Sequence, residues 1–177
     1  DKSQMPEYDD KYEIPDNPDN PDDPGTEKPP VKPHISFDDP EFARLCLLCY
    51  DADGDGGISE DEIAGVTSLD EAFSGIKAGS LSDLRLFPSL RSLTLTALST
   101  VRSIDLGYDN KIERVCVSGS GVEYMDLSGC GGITEIECAN ASSLGRIVFP
   151  ESMPFLSVLE LENTAMEELS VINAPEL

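Results

Sequence analysis

LRSLTLTALSTVRSIDL, residues 90–106, carries one apolar pattern twice, L-x-x-L-x-L. Leu90, Leu93 and Leu95 make the first copy; Val101, Ile104 and Leu106 make the second. The first returns as Ile112, Val115 and Val117, then Ile133, Ile136 and Cys138, then Leu156, Leu159 and Leu161. The second returns as Val122, Met125 and Leu127, then Leu144, Ile147 and Phe149, then Met166, Leu169 and Val171. Equivalent positions lie 21 to 23 residues apart. Alternation within each copy suits a strand with one buried face, and a fixed period of this length is the signature of a solenoid. The residues used make it a leucine-rich one, an α/β repeat with parallel strands. One unit holds too little apolar surface to fold alone, so stacked neighbours build the core. A degenerate first unit runs from Val66 and Leu69 through Leu81, Leu84 and Leu86, and Leu177 opens what would be a further one. An open end there exposes a sheet edge and core residues, so homodimerisation through it is expected.

If the first copies form a parallel sheet, equivalent positions stand about 4.8 Å apart and the outward side chains can be read off. Arg91, Ser92 and Thr94 begin the row; Glu113, Arg114 and Cys116 follow; then Thr134, Glu135 and Glu137; then Ser157, Val158, Glu160 and Glu162. Arg114 is expected beside Glu135, and Glu137 beside Glu160, a like-charge neighbour. Glu113, Arg114, Glu135, Glu137, Glu160 and Glu162 are the candidate binding residues, facing a basic partner or simply water.

Upstream stands DADGDGGISEDE, residues 51–62. Asp51, Asp53 and Asp55 occupy loop positions one, three and five, Gly56 the sixth, and Glu62 the twelfth. A Ca2+ ion takes about six to eight hard oxygens, and this spacing supplies them, with the Gly57 carbonyl at the seventh position and Ser59 acting through a water at the ninth. Gly56 permits the sharp turn. Four carboxylates packed this closely repel one another without a cation. Asp39 offers an N-cap with Pro40 at the first helical position. The entering helix, PEFARLCLLCY, sets Phe42, Leu45, Cys46 and Cys49 on one apolar stripe. That stripe makes the CxxC a pair of buried thiols in preference to a zinc or redox motif. A short exit helix runs from Glu62 and ends at Gly65. No second calcium loop exists to pair with Ile58, so Ile58 and the helix stripe are expected to cover the open apolar end of the first repeat. A solenoid needs such a terminal cap. The ion is then structural, since paired loops and a Met-rich groove, the marks of a calcium switch, are missing.

Residues 1–33 are different material: they hold eight of the thirteen prolines, ten acids and the near-repeat PDNPDNPDDP. Such a segment buries too little to offset ordering entropy and reads as a disordered or extended stalk. The expected organisation is therefore an acidic linker over 1–33, a calcium-binding cap over 34–65 and the repeats over 66–177. A net charge of −23 argues against nucleic acid or anionic membrane as partner. No apolar run is long enough to span a membrane. The chain starts without an initiator Met or signal peptide, as a mature or trimmed form would. Five cysteines, an odd number, do not make a disulfide framework. Cys116 and Cys130 read as exposed thiols, and Cys138 as a buried one.

HISFDDPEF (34–42), DADGDGGISEDE (51–62), EIAGVTSL (62–69) and FPSLRSL (87–93), with the repeats after them, resemble surface leucine-rich-repeat lipoproteins of Bacteroides-type gut bacteria. The likeness covers about residues 34 to 177, and the acidic proline-rich tail looks like that family's stalk. It implies an EF-hand-like site for Ca2+ at Asp51, Asp53, Asp55, Gly57, Ser59 and Glu62. It also implies export, a lipid anchor upstream of residue 1, and display on the outer membrane or in the periplasm. One departure is visible: Ser120, Ala141 and Thr164 stand where such repeats usually carry asparagine, so their backbone-satisfying ladder must be replaced.

The expected function is non-enzymatic protein binding or adhesion at the cell surface. Adjacent glutamates superficially suit a glycosidase, and a calcium solenoid a polysaccharide-degrading enzyme. However, the only histidine is His34, read as an incidental residue at a strand start, and there is no Trp. Polysaccharide binding is the other alternative. Sugar sites stack rings on exposed aromatics, the sheet row has none, and Tyr108 and Tyr124 on the other half-repeats are the only hints.

Overall fold

The computed structural model describes residues 32–108, 111–171 and 173–177. The chain divides between Lys32 and Pro33, and the fold lies in the unit from Pro33 to Leu177. The stalk expected over 1–33 lies outside the described residues except for its last two positions. Two helices come first, α1 (Pro40–Tyr50) and α2 (Glu60–Ala64). Eight strands come after them among the described residues: β1 (Ser68–Leu69), β2 (Ser92–Thr96), β3 (Ser103–Asp105), β4 (Arg114–Ser118), β5 (Tyr124–Asp126), β6 (Glu135–Glu137), β7 (Arg146–Val148) and β8 (Val158–Glu160).

All strand pairs are parallel, and they form two sheets, β1-β2-β4-β6-β8 and β3-β5-β7. The chain thus winds as a parallel β-solenoid of about four turns. Both half-repeats become strands where both alternate in the same way, so each of the three middle coils contributes one rung to each sheet (β2 and β3, β4 and β5, β6 and β7). The mixed α/β character expected of the repeats is confined to residues 40–64; the described repeat residues carry no α-helix, only 3-10 turns at Glu71–Phe73 and Ser82–Leu86.

The sequence period becomes register. Leu69, Leu93, Val115, Ile136 and Leu159 are successive partners across the larger sheet, and Ile104, Met125 and Ile147 across the smaller. The first four of the larger row are essentially solvent-free. Each such side chain contributes about 1.5–3 kcal/mol by leaving water. One hydrogen-bond arrangement repeats at the entry of each strand of the larger sheet after β1. Arg91 and Ser92 donate to the Thr67 carbonyl, Glu113 and Arg114 to that of Arg91, Thr134 and Glu135 to that of Glu113, and Ser157 and Val158 to that of Thr134. The fourth second copy, Met166 to Val171, keeps the period but forms no strand, and Leu169 is 52% exposed.

The missing asparagine ladder is replaced one position earlier. Gly75, Ala97, Gly119, Asn140 and Asn163 all have φ between 54° and 68°, so one left-handed corner recurs in each coil. The first four donate their N–H groups to carbonyls of the next coil: Gly75 to Thr96, Ala97 to Ser118, Gly119 to Ala139, Asn140 to Glu162. Asn163 Nδ2 also donates to Asn140 Oδ1 at 2.9 Å. Glycine and asparagine tolerate this conformation, whereas Ala97 adopts it at a cost. Ser120, which follows the corner at Gly119, is buried, and its hydroxyl has no partner among the described residues.

At the N-terminal side, Asp39 caps α1 by accepting from the N–H groups of Glu41 and Phe42 at 2.9 and 3.1 Å. Its other oxygen accepts from Gly79 at 2.7 Å. The buried Asp83 carboxylate accepts from the N–H groups of Asp38 and Asp39 at 2.8 and 2.9 Å. These two carboxylates tie the start of α1 to the first coil. Phe42 then packs on Phe73 and Phe87 with ring centroids 5.3 and 6.0 Å away, and Tyr50 lies 6.3 and 6.1 Å from the same rings. Phe42, Cys46, Ile58 and Ile63 belong to one buried core with the repeats.

Two cysteine expectations are corrected. Cys49 is exposed, because the last turn of α1 rotates Tyr50 inward in its place. Cys130 is buried, because the turn that carries it folds inward and points its thiol at the Leu106 carbonyl, 3.6 Å away. All five cysteines are free thiols, and Cys138 is buried, as its core position requires.

Candidate metal centre and binding face

Loop 51–62 is built by its own backbone. Gly54 and Gly56 turn the chain with φ of 70° and 85°. Asp51 accepts from the N–H groups of Gly54 and Gly56 at 2.8 and 3.2 Å, Asp53 from Asp55 at 3.2 Å, and Asp55 from Gly57 at 2.9 Å. Glu62 closes the loop. One of its oxygens accepts from Ala52 at 2.8 Å, and the other from the Ser59 N–H and hydroxyl at 2.8 and 2.9 Å. Ser59 caps α2, which begins at Glu60, two residues earlier than expected, because the Ser59–Glu62 pair forms a capping box. These donors, the Ser59 N–H first, hold the Glu62 carboxyl down at about 2.

Oxygens of Asp51, Asp53 and Asp55 all lie within 4.8 Å of one another. Three carboxylate oxygens grouped in this way are a candidate holder for a metal ion. An all-oxygen set of this size fits a hard divalent ion. Gly57, Ser59 and Glu62 flank it along the same loop.

His34, read from the sequence as an incidental residue at a strand start, pairs with this loop. His34 forms an antiparallel bridge with Ser59, and the Ile35 N–H donates to the Ile58 carbonyl at 2.6 Å. The partner that position eight lacks in a second loop is thus the segment just before α1. The pairing brings His34 Nε2 within 2.9 Å of Asp55 Oδ2. The contact raises the imidazole pKa and, with the Gly57 N–H, lowers that of Asp55. No local motif announces this, since the two residues lie 21 apart. The apolar Ile35 and Ile58 are the only sequence hint.

On the larger sheet the outward positions fall in rows. Ser92, Arg114, Glu135 and Val158 are partners, as are Thr94, Cys116, Glu137 and Glu160. Arg114 pairs with Glu135, and Arg91 with Glu113. Three of the candidate residues, Glu113, Arg114 and Glu135, are therefore committed to ion pairs within the sheet. Glu137 stands beside Glu160 with Glu162 exposed beyond them, and no ion pair engages these three among the described residues. Burial raises the pKa of the half-buried Cys116 thiol in this row. The two tyrosines are engaged elsewhere. Tyr108 is half-buried, with its hydroxyl pushed to about 12 by desolvation. Tyr124 donates to Asp126 at 3.3 Å and lies under the Arg146 guanidinium, 5.8 Å from the ring centroid.

No protein-family model matches the chain, and comparison with curated proteins gives no significant match. Among the described residues no helix is long and apolar enough to cross a membrane.

Proposed function

We propose that this chain is a non-enzymatic leucine-rich-repeat protein of the cell surface that binds a basic protein partner through the carboxylate row of its larger sheet. The observation that carries the partner is the rung Glu137–Glu160, in register and without an ion-pair partner among the described residues. Like charges side by side on a ladder cost stability, and a cationic side chain from outside offsets that cost. A solenoid suits such a role because its flat, regular sheet offers many independent positions.

In this reading the N-terminal module is a Ca2+-binding cap. Asp51, Asp53, Asp55, the Gly57 carbonyl, Ser59 and Glu62 would hold the ion, supported by the convergence of the three aspartates. When bound, the ion supplies positive charge that relieves carboxylate repulsion and adds its binding free energy to folding. The packing of Phe42 and Tyr50 on Phe73 and Phe87 supports the capping role. The resemblance to surface lipoproteins supports display outside the cell on a lipid anchor. The test of the binding face is a panel of basic and acidic proteins titrated against the chain at low and moderate salt. Basic proteins are expected to bind, at least tenfold more weakly to a Glu137→Gln/Glu160→Gln variant. Binding unchanged in that variant excludes the face as the docking surface.

A further inference from the structure

The turn row that feeds the larger sheet contains a gap. Counting back four residues from the partners Val115, Ile136 and Leu159 gives Lys111, Gly132 and Phe155 as successive positions. Gly132 has no side chain to fill its rung, and a methyl placed on it would meet no atom within 4 Å. Lys111 and Phe155 thus stand two rungs apart, about 9.6 Å at the usual strand spacing, with an empty floor between. The resulting shallow depression, open to solvent, measures about 440 Å³ and is bordered by Arg91, Glu113 and Thr134.

Its walls differ in chemistry. Phe155 is 61% exposed and is the one exposed phenylalanine of the six in the chain. Facing it, Arg91 and Lys111 offer hydrogen-bond donors, and the Glu113 carboxylate beside Arg91 offers acceptors. The Thr134 hydroxyl already donates to the Glu113 carbonyl at 2.9 Å, which leaves its oxygen to accept. A ligand for these walls needs an apolar face for the ring and several groups that both donate and accept. An anion meets one cation locally, since Arg91 and Glu113 neutralise each other and leave Lys111, but it is disfavoured by the net charge of −23. A cation is disfavoured by Arg91 and Lys111.

We infer that this gap is a binding site for a neutral saccharide, one sugar ring lying against Phe155 over Gly132 with its hydroxyls on Lys111, Arg91 and Glu113. The site does not rest on the protein-binding role proposed above. It also gives the larger sheet the exposed aromatic that its outward row lacks, because Phe155 lies in the turn before β8 and not in a strand.

The test is calorimetric titration of the full chain with neutral hexasaccharides built on glucose, mannose and galactose, with polygalacturonate as the charged comparison. At least one neutral hexasaccharide is expected to bind. Phe155→Ala removes the platform and Gly132→Gln fills the floor; each is expected to weaken that binding at least tenfold. Both positions are exposed, so the melting transition is expected to stay in place. Tyr124→Ala, on the other sheet, is expected to leave affinity unchanged. The inference is overturned by no neutral binding, by binding that survives both variants, by loss in Tyr124→Ala, or by binding of polygalacturonate alone.

Discussion

The two ends of the coil treat the same row of core residues differently. At the N-terminal side Leu69 is fully buried, in one core with Phe42, Ile58, Ile63 and Phe73. At the other end of the described chain Leu159, which continues the Leu69 row, is half-buried, as is Leu161, and Leu169 and Leu177 are 52% and 55% exposed. Nothing in the repeat pattern itself distinguishes these leucines. The difference lies in what covers them, so a repeat's stability is set by its neighbour as much as by its own residues.

The widest gap between the ends is expected in truncation. Phe42→Ala should cost about 3–5 kcal/mol by urea unfolding, from lost burial and a cavity among three rings. Leu169→Ala should cost under about 0.5 kcal/mol, as at an exposed site. Similar losses at both would break the contrast. Next is the Asp39 tie, which exists at the sealed end alone. Asp39→Ala should lose roughly 2 kcal/mol near neutral pH, from the cap and the orphaned Gly79 N–H. Burial alone would raise the Asp39 carboxyl pKa, but the N–H groups of Phe42, Gly79 and Glu41 bring it below the ordinary value. Its contribution is therefore present above the unfolded pKa of about 3.9 and fades as pH falls through the lowered one. The variant and the parent should converge in acid; a constant difference contradicts this.

Smaller effects sharpen the picture along the coil between the ends. Ala97→Gly relieves a left-handed corner that the adjacent coils fill with glycine or asparagine, and should stabilise by about 0.5–1 kcal/mol in thermal unfolding. Ser120→Ala removes a buried hydroxyl without a partner among the described residues. It should be neutral or stabilise by up to about 1 kcal/mol, whereas a loss would mean that the hydroxyl is satisfied.

The coil is legible in the sequence because a period of two nested in a period of 21 to 23 leaves little freedom: Leu93, Val115 and Ile136 have to face one core. The second sheet is less visible, since its three-residue strands share the pattern of the first and give no sign of pairing separately. The corner ladder falls one residue before Ser120 and Ala141, at Gly119 and Asn140, because the left-handed turn and not the usual asparagine position decides where it forms. In the loop, the spacing of Asp51, Asp53 and Asp55 brings their oxygens together, as their alternation implies. The place of His34 depends on a long-range backbone pairing that no local spacing encodes. Cys49 and Cys130 depart from their expected exposure because a helix's last turn and a turn's inward fold are settled by neighbours, not by composition.

The central claim is that an ion held by this acidic loop stabilises the sealed end and, through it, the stack. The direct measurement is the melting temperature of the chain in excess Ca2+ and again with chelator. With the ion about 100-fold above its dissociation constant, stabilisation should reach about 2.7 kcal/mol, a rise of roughly 5–10 °C for a domain of this size. Asp53→Asn with Asp55→Asn should abolish that rise. A melting temperature indifferent to the ion would contradict the account.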